Sequence, residues 1–482
     1  MKKFRALSLI LFFCLIFTVI SPAALALDEP NVVASSVVLA DLNSDRIIYS
    51  KNMDTQVAPA SLTKIMTVLL AVESVERGEH TMEELITAYD DCRVGMDEMS
   101  STSGIYPGEI LSLEDLIYCA MLDSANEACN IIAEYLDGSI AAFVERMNAR
   151  AAELGMTGTH FANTNGLTDG SHYTTAYDFY ILSKEAIRHP AFMTVCNTAT
   201  YTTAASNVSA PRNLNNSNAL ISTGSIYGSG YFYEYAAGIK TGYTSAAGSC
   251  LISTAEKDGV HVLLVVMGST CPLNDANRTD YGNFTDSLSI YHWVFDNFSY
   301  RTVMRVSDLA AKVNVQMAAN ADATVLHPVS DVTLLVPTDV PDDAVSYSVT
   351  VNEDMLVAPI AAGTVLGQAE IFVAGESFGR VDLVNTSDVE LSRTEYMKQH
   401  LHSILSKSWV KVLAIVVAVL VFLYCVLVIR YRALRRKHLK AKKLNEKRRR
   451  EAWEQQYASH HGGSTKEPTQ RFGSNEFTMK KK

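Results

Sequence analysis

Ala58-Pro59-Ala60-Ser61-Leu62-Thr63-Lys64-Ile65-Met66-Thr67-Val68-Leu69-Leu70-Ala71 is the stretch on which the reading of this chain turns. Apolar residues recur at Ile65, Val68, Leu69 and Val72, the spacing of one buried helix face, and Pro59 suits the entry to such a helix. Ser61 and Lys64 are three residues apart at its start, so they share a face about one turn apart. A serine hydroxyl is a poor nucleophile until a neighbour takes its proton. A lysine can take it when burial and nearby cations lower its pKa. The helix N-terminus also favours negative charge developing at Ser61. The pair alone is a common spacing: Ser408-Trp409-Val410-Lys411 repeats it beside an apolar run, where the context does not suit catalysis.

Strands are predicted upstream, at Val37–Ala40 and Arg46–Ser50, joined by the turn formers of Asp41–Asp45. Downstream, helices are predicted over Leu113–Leu122, Ala125–Leu136, Ile140–Leu154 and Ala176–Ile187, the last ending before Pro190. Three strand patterns follow, Ala237–Thr244, Ser249–Ala255 and Val260–Met267, with Glu256-Lys257-Asp258-Gly259 turning between the last two. A closing helix is expected over Ser287–Phe298. This is an α/β (α+β) pattern, an antiparallel sheet flanked by helices over residues 27–299. From 300 to 390 short Val-rich runs broken by Asp, Pro and Gly predict a small all-β domain.

The ends carry their own signals. Met1-Lys2-Lys3-Phe4-Arg5, the apolar run Ala6–Ile20 and small residues at Ala24 and Ala26 have the layout of a secretory signal peptide, residues 1–26. Val412–Ile429 is apolar and uncharged, follows Trp409, and precedes a dense run of Lys and Arg. That reads as a transmembrane helix over 409–430 with a basic cytoplasmic tail over 431–482, joined to the β-rich part by a juxtamembrane linker, 391–408. Beyond Arg450 the polar tail is expected to be disordered.

The catalytic side is then extracellular, at the cell membrane. Residues 411–482 hold 18 Lys and Arg against 5 Asp and Glu, whereas 27–410 hold 20 against 47. So acidic an exported part argues against a nucleic-acid partner. The cysteines between the apolar segments show no Cys-x-x-Cys spacing, so neither a metal nor another cofactor is expected, and they read as mostly buried thiols.

Two further motifs complete the picture. Ser124-Ala125-Asn126 falls between two predicted helices, and Lys240-Thr241-Gly242 lies on a predicted strand, followed by Tyr243. Ser124 could relay a proton and Asn126 could hold an amide, although both residue types also cap helices. Lys240 and Thr241 offer a cation and a hydroxyl for a carboxylate, and Gly242 lets a ligand backbone approach. Taken alone, Lys240 reads equally as an edge-strand lysine.

In this order the three motifs resemble those of penicillin-binding proteins and class A β-lactamases. With Asn163-Thr164-Asn165-Gly166-Leu167, Thr175-Ala176-Tyr177-Asp178 and Gly238–Thr244, the chain from Val37 to Phe298 resembles a low-molecular-mass penicillin-binding protein of the serine D-alanyl-D-alanine carboxypeptidase family.

The resemblance implies that Ser61 attacks the bond between the two D-alanines of a peptidoglycan stem pentapeptide, and that β-lactams inhibit by acylating the same residue. It implies an oxyanion hole made by the backbone N–H groups of Ser61 and Tyr243. It also implies a β-rich second domain. Tyr243 stands where relatives often carry His. Neither Arg212 nor Arg278 aligns clearly with the arginine that some relatives place near the substrate carboxylate. Two alternatives stay open at this point: a β-lactamase, which needs a deacylating residue, and a non-catalytic wall-binding receptor.

Overall fold

The computed structural model describes residues 28–273, 279–319, 322–353 and 356–460. The predicted signal peptide and Arg278 lie outside these residues. The described chain divides into two compact units, Asn314–Ala323, Met355–Ile360 and Val389 onward forming the second.

The first unit is organised by a five-stranded antiparallel sheet, in the order β2 (Arg46–Lys51), β1 (Ser36–Asp41), β9 (Val260–Ser269), β8 (Gly248–Lys257), β7 (Ala236–Thr244). Both faces of this sheet are covered, and this is why its central strands read as unbroken apolar runs. Val38, Ala40, Leu263, Val265 and Met267 enter one core. Their neighbours Val37, Leu39, Leu264 and Val266 enter the other, against Phe284, Ile290, Tyr291 and Val294. The alternation follows from the two-residue period of a strand.

On the first face lie α1 (Lys64–Glu76), α2 (Leu113–Met121), α3 (Asn126–Asp137), α4 (Ile140–Leu154), α5 (Ala176–Ala186) and α6 (Pro190–Asn197); α7 (Gly282–Asn297) covers the second. α6 was not visible as a helix in the sequence, although Pro190 occupies its first position, where a missing N–H does no harm. The closing helix begins at Gly282, five residues before its predicted start.

The predicted helix from Ala60 has two parts. A single 3₁₀ turn, Ala60–Thr63, holds Ser61, and the α-helix proper begins at Lys64. The short pairs β3 (Leu85–Thr87) with β4 (Ile110–Ser112) and β5 (Thr200–Thr202) with β6 (Asn213–Asn215) bracket loops that the sequence left undefined.

After α7 the same unit carries β10 (Phe298–Met304) paired with β13 (Val332–Pro337). It also carries β14 (Val345–Val351), β16 (Val365–Val373), β17 (Glu376–Asn385) and β12 (Ala323–Pro328), paired antiparallel in that order.

In the second unit the end of β11 (Ala311–Gln316) pairs parallel with β15 (Leu356–Val357), and Ile360 bridges Val389. The stretch expected to be a linker contains α8 (Arg393–Ser406), capped by the Ser392 hydroxyl. The last helix, α9 (Ser408–His460), is long and apolar enough to cross a membrane. It runs past Arg450 into the part predicted as disordered. Its Ala, Glu, Lys, Arg and Gln are good helix formers, and the first glycine comes only at Gly462.

Candidate active site

Ser61 sits where three other segments approach the start of α1: the α2–α3 link, the loop Asn163–Leu167, and β7. The loop is packed against the turn backbone. Gly166 has φ +92°, and a Cβ there would lie 1.8 Å from the Ala60 carbonyl oxygen, so only glycine fits. Asn163 holds the loop by accepting from Gly166 N–H through Oδ1 at 2.7 Å and donating through Nδ2 to the Leu167 carbonyl at 2.8 Å. On the other side a Cβ on Gly242 of β7 would lie 3.3 Å from Ser61 N and from Leu62 N. The strand therefore runs against the backbone of Ser61 itself.

Lys64 is fully buried. Its Nζ lies 2.8 Å from Ser61 Oγ, 2.8 Å from Asn126 Oδ1 and 2.7 Å from the Asn165 carbonyl. The last two atoms can only accept. A neutral amine gives them its two hydrogens and keeps its lone pair for the Ser61 hydroxyl, the arrangement a base requires. Burial pulls the Lys64 pKa down to about 8, against the opposing pull of Cys129 and Glu127. The Asn165 carbonyl is a functional group that motif reading missed. Its signal was the Asn- and Gly-rich Asn163–Leu167 stretch, whose composition suits a tight turn.

The other predicted residues are placed unevenly. Asn126, expected to hold a substrate amide, spends its Oδ1 on Lys64 and keeps only the Nδ2 donor for a ligand. Ser124 has φ +60°, unusual for a serine, in the link between α2 and α3. The link is pinned on either side by Leu122 O, which accepts from Ser217 N–H, and by Asn126 N–H, which donates to Ser101 O. Ser124 itself makes no side-chain hydrogen bond among the described residues. A strained residue held by its surroundings at such a place is a pointer to function.

Lys240 is 1 % exposed, yet its Nζ has no hydrogen-bond partner among the described residues. Burial, with the charge of Lys64 added, lowers its pKa to about 7. Thr241 Oγ1 is 2.7 Å from Ser217 Oγ, a partner that the sequence did not announce. Tyr243 is 61 % exposed, so its ring lines the rim.

Arg212 is not free to meet a substrate. Its guanidinium binds the Ser103 carbonyl at 2.8 Å and pairs with the buried Glu109 at 2.7 Å. Three glutamates between Ser124 and Lys240, the stretch where a deacylating residue would be sought, are also engaged. Glu127 accepts from Thr102 Oγ1 and Ser103 N–H, while Glu153 and Glu185 pair with Arg150.

Residues 23–271, more than half of the chain, match the family model described as D-alanyl-D-alanine carboxypeptidase. The chain belongs to this family. As a carboxypeptidase it also carries, over residues 298–391, a match to the C-terminal domain of penicillin-binding protein 5. It is 29 % identical over 362 residues to D-alanyl-D-alanine carboxypeptidase DacF of Bacillus subtilis, covering 74 % of this chain and 86 % of the relative. It is 28 % identical over 364 residues to D-alanyl-D-alanine carboxypeptidase DacA of Escherichia coli, covering 75 % and 84 %. Penicillin-binding protein 5 of Haemophilus influenzae superposes with a TM-score of 0.60 at 25 % identity, over 76 % of this chain and all of that one. The carboxypeptidase reading thus holds over the β-lactamase and the receptor, and the expected antiparallel catalytic sheet and all-β second region are both present.

A base role for the buried Lys64 amine would give this carboxypeptidase a pH dependence of defined sign. Lys64 can accept a proton only when neutral, and its pKa of about 8 places that change near physiological pH. Below that pH the protonated fraction grows, so acylation by a fluorescent penicillin is expected to fall by roughly 10-fold per pH unit on the acid side. Stopped-flow labelling at several pH values measures it. An acylation rate flat down to about pH 6 would rule out a lysine base of this kind.

Proposed function

We propose that this carboxypeptidase removes the terminal D-alanine from peptidoglycan stem pentapeptides through an acyl-enzyme on Ser61. The observation that carries this reading is the buried Lys64 amine, 2.8 Å from Ser61 Oγ, with both competing acceptors already satisfied by its hydrogens. Ser61 Oγ attacks the carbonyl between the two D-alanines as Lys64 Nζ takes its proton. The backbone N–H groups of Ser61 and Tyr243 receive the oxyanion. The proton passes through the Ser124 hydroxyl to the leaving D-alanine nitrogen as the C–N bond breaks. Water then attacks the ester and returns Ser61 to its starting state. The unpartnered Lys240 ammonium and the Thr241 hydroxyl hold the terminal carboxylate, which in turn favours the charged form of Lys240. The peptide lies along β7, which the absence of a side chain at Gly242 lets pack against the Ser61 turn.

β-Lactams, on this reading, acylate the same serine and leave slowly. The catalytic domain, residues 27–299, and the β-rich domain, 300–390, lie outside the cell. Residues 391–408 lead to a single span at 409–430 in the cell membrane, and the basic tail 431–482 is cytoplasmic. The Lys and Arg that follow the apolar run support that orientation.

Full-length protein in detergent is expected to release D-alanine from a pentapeptide and to form a long-lived benzylpenicillin adduct, mapped by mass spectrometry to the peptide containing Ser61. An adduct on any other residue, or penicillin turned over within seconds, would overturn the assignment. Protease protection in sealed vesicles tests the topology: only the tail should be cut from the cytoplasmic side.

A further inference from the structure

His172 is absent from the three motifs and from the chemistry assigned to them, yet its ring is 3 % exposed and joined to the nucleophile's turn. Ala162 N–H donates to His172 Nδ1 at 2.8 Å. A backbone amide can only donate, so Nδ1 carries no proton, and the neutral ring bears its hydrogen on Nε2. Burial keeps the ring neutral by lowering its pKa to about 4. Nε2 lies 2.7 Å from Thr63 Oγ1, so Thr63 accepts there. The Thr63 hydroxyl hydrogen is then free for the Ala60 carbonyl, 2.9 Å away. The chain of donors runs one way, from imidazole to hydroxyl to carbonyl.

The Ala60 carbonyl shares one planar peptide unit with Ser61 N–H, and in a trans peptide the two point in opposite directions. Fixing the carbonyl on Thr63 therefore fixes the direction of the Ser61 N–H. That peptide needs fixing, because Ala60 has φ +48°, a conformation an alanine rarely holds. Gly166 closes on the same carbonyl but has no side chain with which to hydrogen-bond it.

We propose that His172, held as its Nε2–H tautomer, is a positioning residue for acylation: through Thr63 it locks the Ala60 peptide and so aims the Ser61 N–H of the oxyanion hole. This rests on the reading of Ser61 as nucleophile. The class of group it serves is the oxyanion of the tetrahedral intermediate, where a misdirected donor costs rate and not ground-state affinity.

The test separates the two readings. In full-length protein in detergent, Thr63→Val keeps the side-chain shape and removes the hydroxyl. It is expected to slow acylation by a fluorescent penicillin by roughly 10- to 100-fold through the first-order step, with the dissociation constant of the encounter complex changed less than about 3-fold. Thr63→Ser should restore the rate to within about 3-fold of wild type. Nitrogen-15 NMR of histidine-labelled wild-type protein, which needs no variant, should show one ring protonated at Nε2 and not titrating down to about pH 5. A wild-type rate for Thr63→Val, or no ring of that kind in the spectrum, overturns the proposal. If Ser61 is not the nucleophile, the adduct maps to another residue in every one of these proteins, whatever their rates.

Discussion

Ser61→Ala is expected to lower D-alanine release by roughly 10⁴-fold or more and to abolish covalent penicillin labelling, while the folded protein survives intact. The size follows from the chemistry: where a serine nucleophile is removed from an acyl-transfer site, neighbouring groups do not substitute for it. The survival follows from the surroundings. Lys64 keeps Asn126 Oδ1 and the Asn165 carbonyl as partners, so no buried amine is stranded. The change removes one hydroxyl from a partly exposed residue, for which a stability change within about 1 kcal/mol is ordinary. The measurements are a D-alanine release assay, gel fluorescence with a labelled penicillin, and a denaturation midpoint. Release at the wild-type rate, or a persisting covalent adduct, would remove Ser61 from the mechanism.

Gly166→Ala is the second large effect, and it reaches the same turn from a residue that does no chemistry. A Cβ at position 166 would sit 1.8 Å from the Ala60 oxygen, 2.3 Å from its carbon and 2.9 Å from Ser61 N. All three are backbone atoms, so no side chain can swing away. The φ of +92° adds strain of its own for an alanine. A loss of about 3 kcal/mol in stability is expected from overpacking and strain together. Acylation should fall by roughly 100-fold or more, because both the Asn165 carbonyl on Lys64 and the Ser61 peptide must shift. A denaturant titration and penicillin labelling measure the two effects. A stable, fully active Gly166→Ala protein would mean that the loop does not hold the turn.

How much of this was legible beforehand depended on the range of the interaction. The Ser61–Lys64 pair follows from the period of one helix, and the strands β7 to β9 from local apolar runs. The three motifs could be placed on their elements because each signal is local. Asn165, His172 and Ser217 act through contacts spanning 101, 109 and 24 residues, and no local pattern encodes such distances. Arg212 shows the converse. An arginine in a loop looks available to a carboxylate until its partner Glu109 is found 103 residues away. The 3₁₀ turn at Ser61 was invisible because it runs straight into α1, and its residues suit either kind of helix.

The five buried cysteines of the first unit, Cys92, Cys119, Cys129, Cys196 and Cys250, are all free thiols. The fold therefore owes nothing to covalent cross-links among the described residues. Reductants should leave its melting point where it is. Burial raises the Cys119 and Cys250 thiols to about 12, so little reactive thiolate exists while the core is closed. Alkylating reagents thus become a reporter of unfolding: labelling of these positions would trace how often the catalytic core opens.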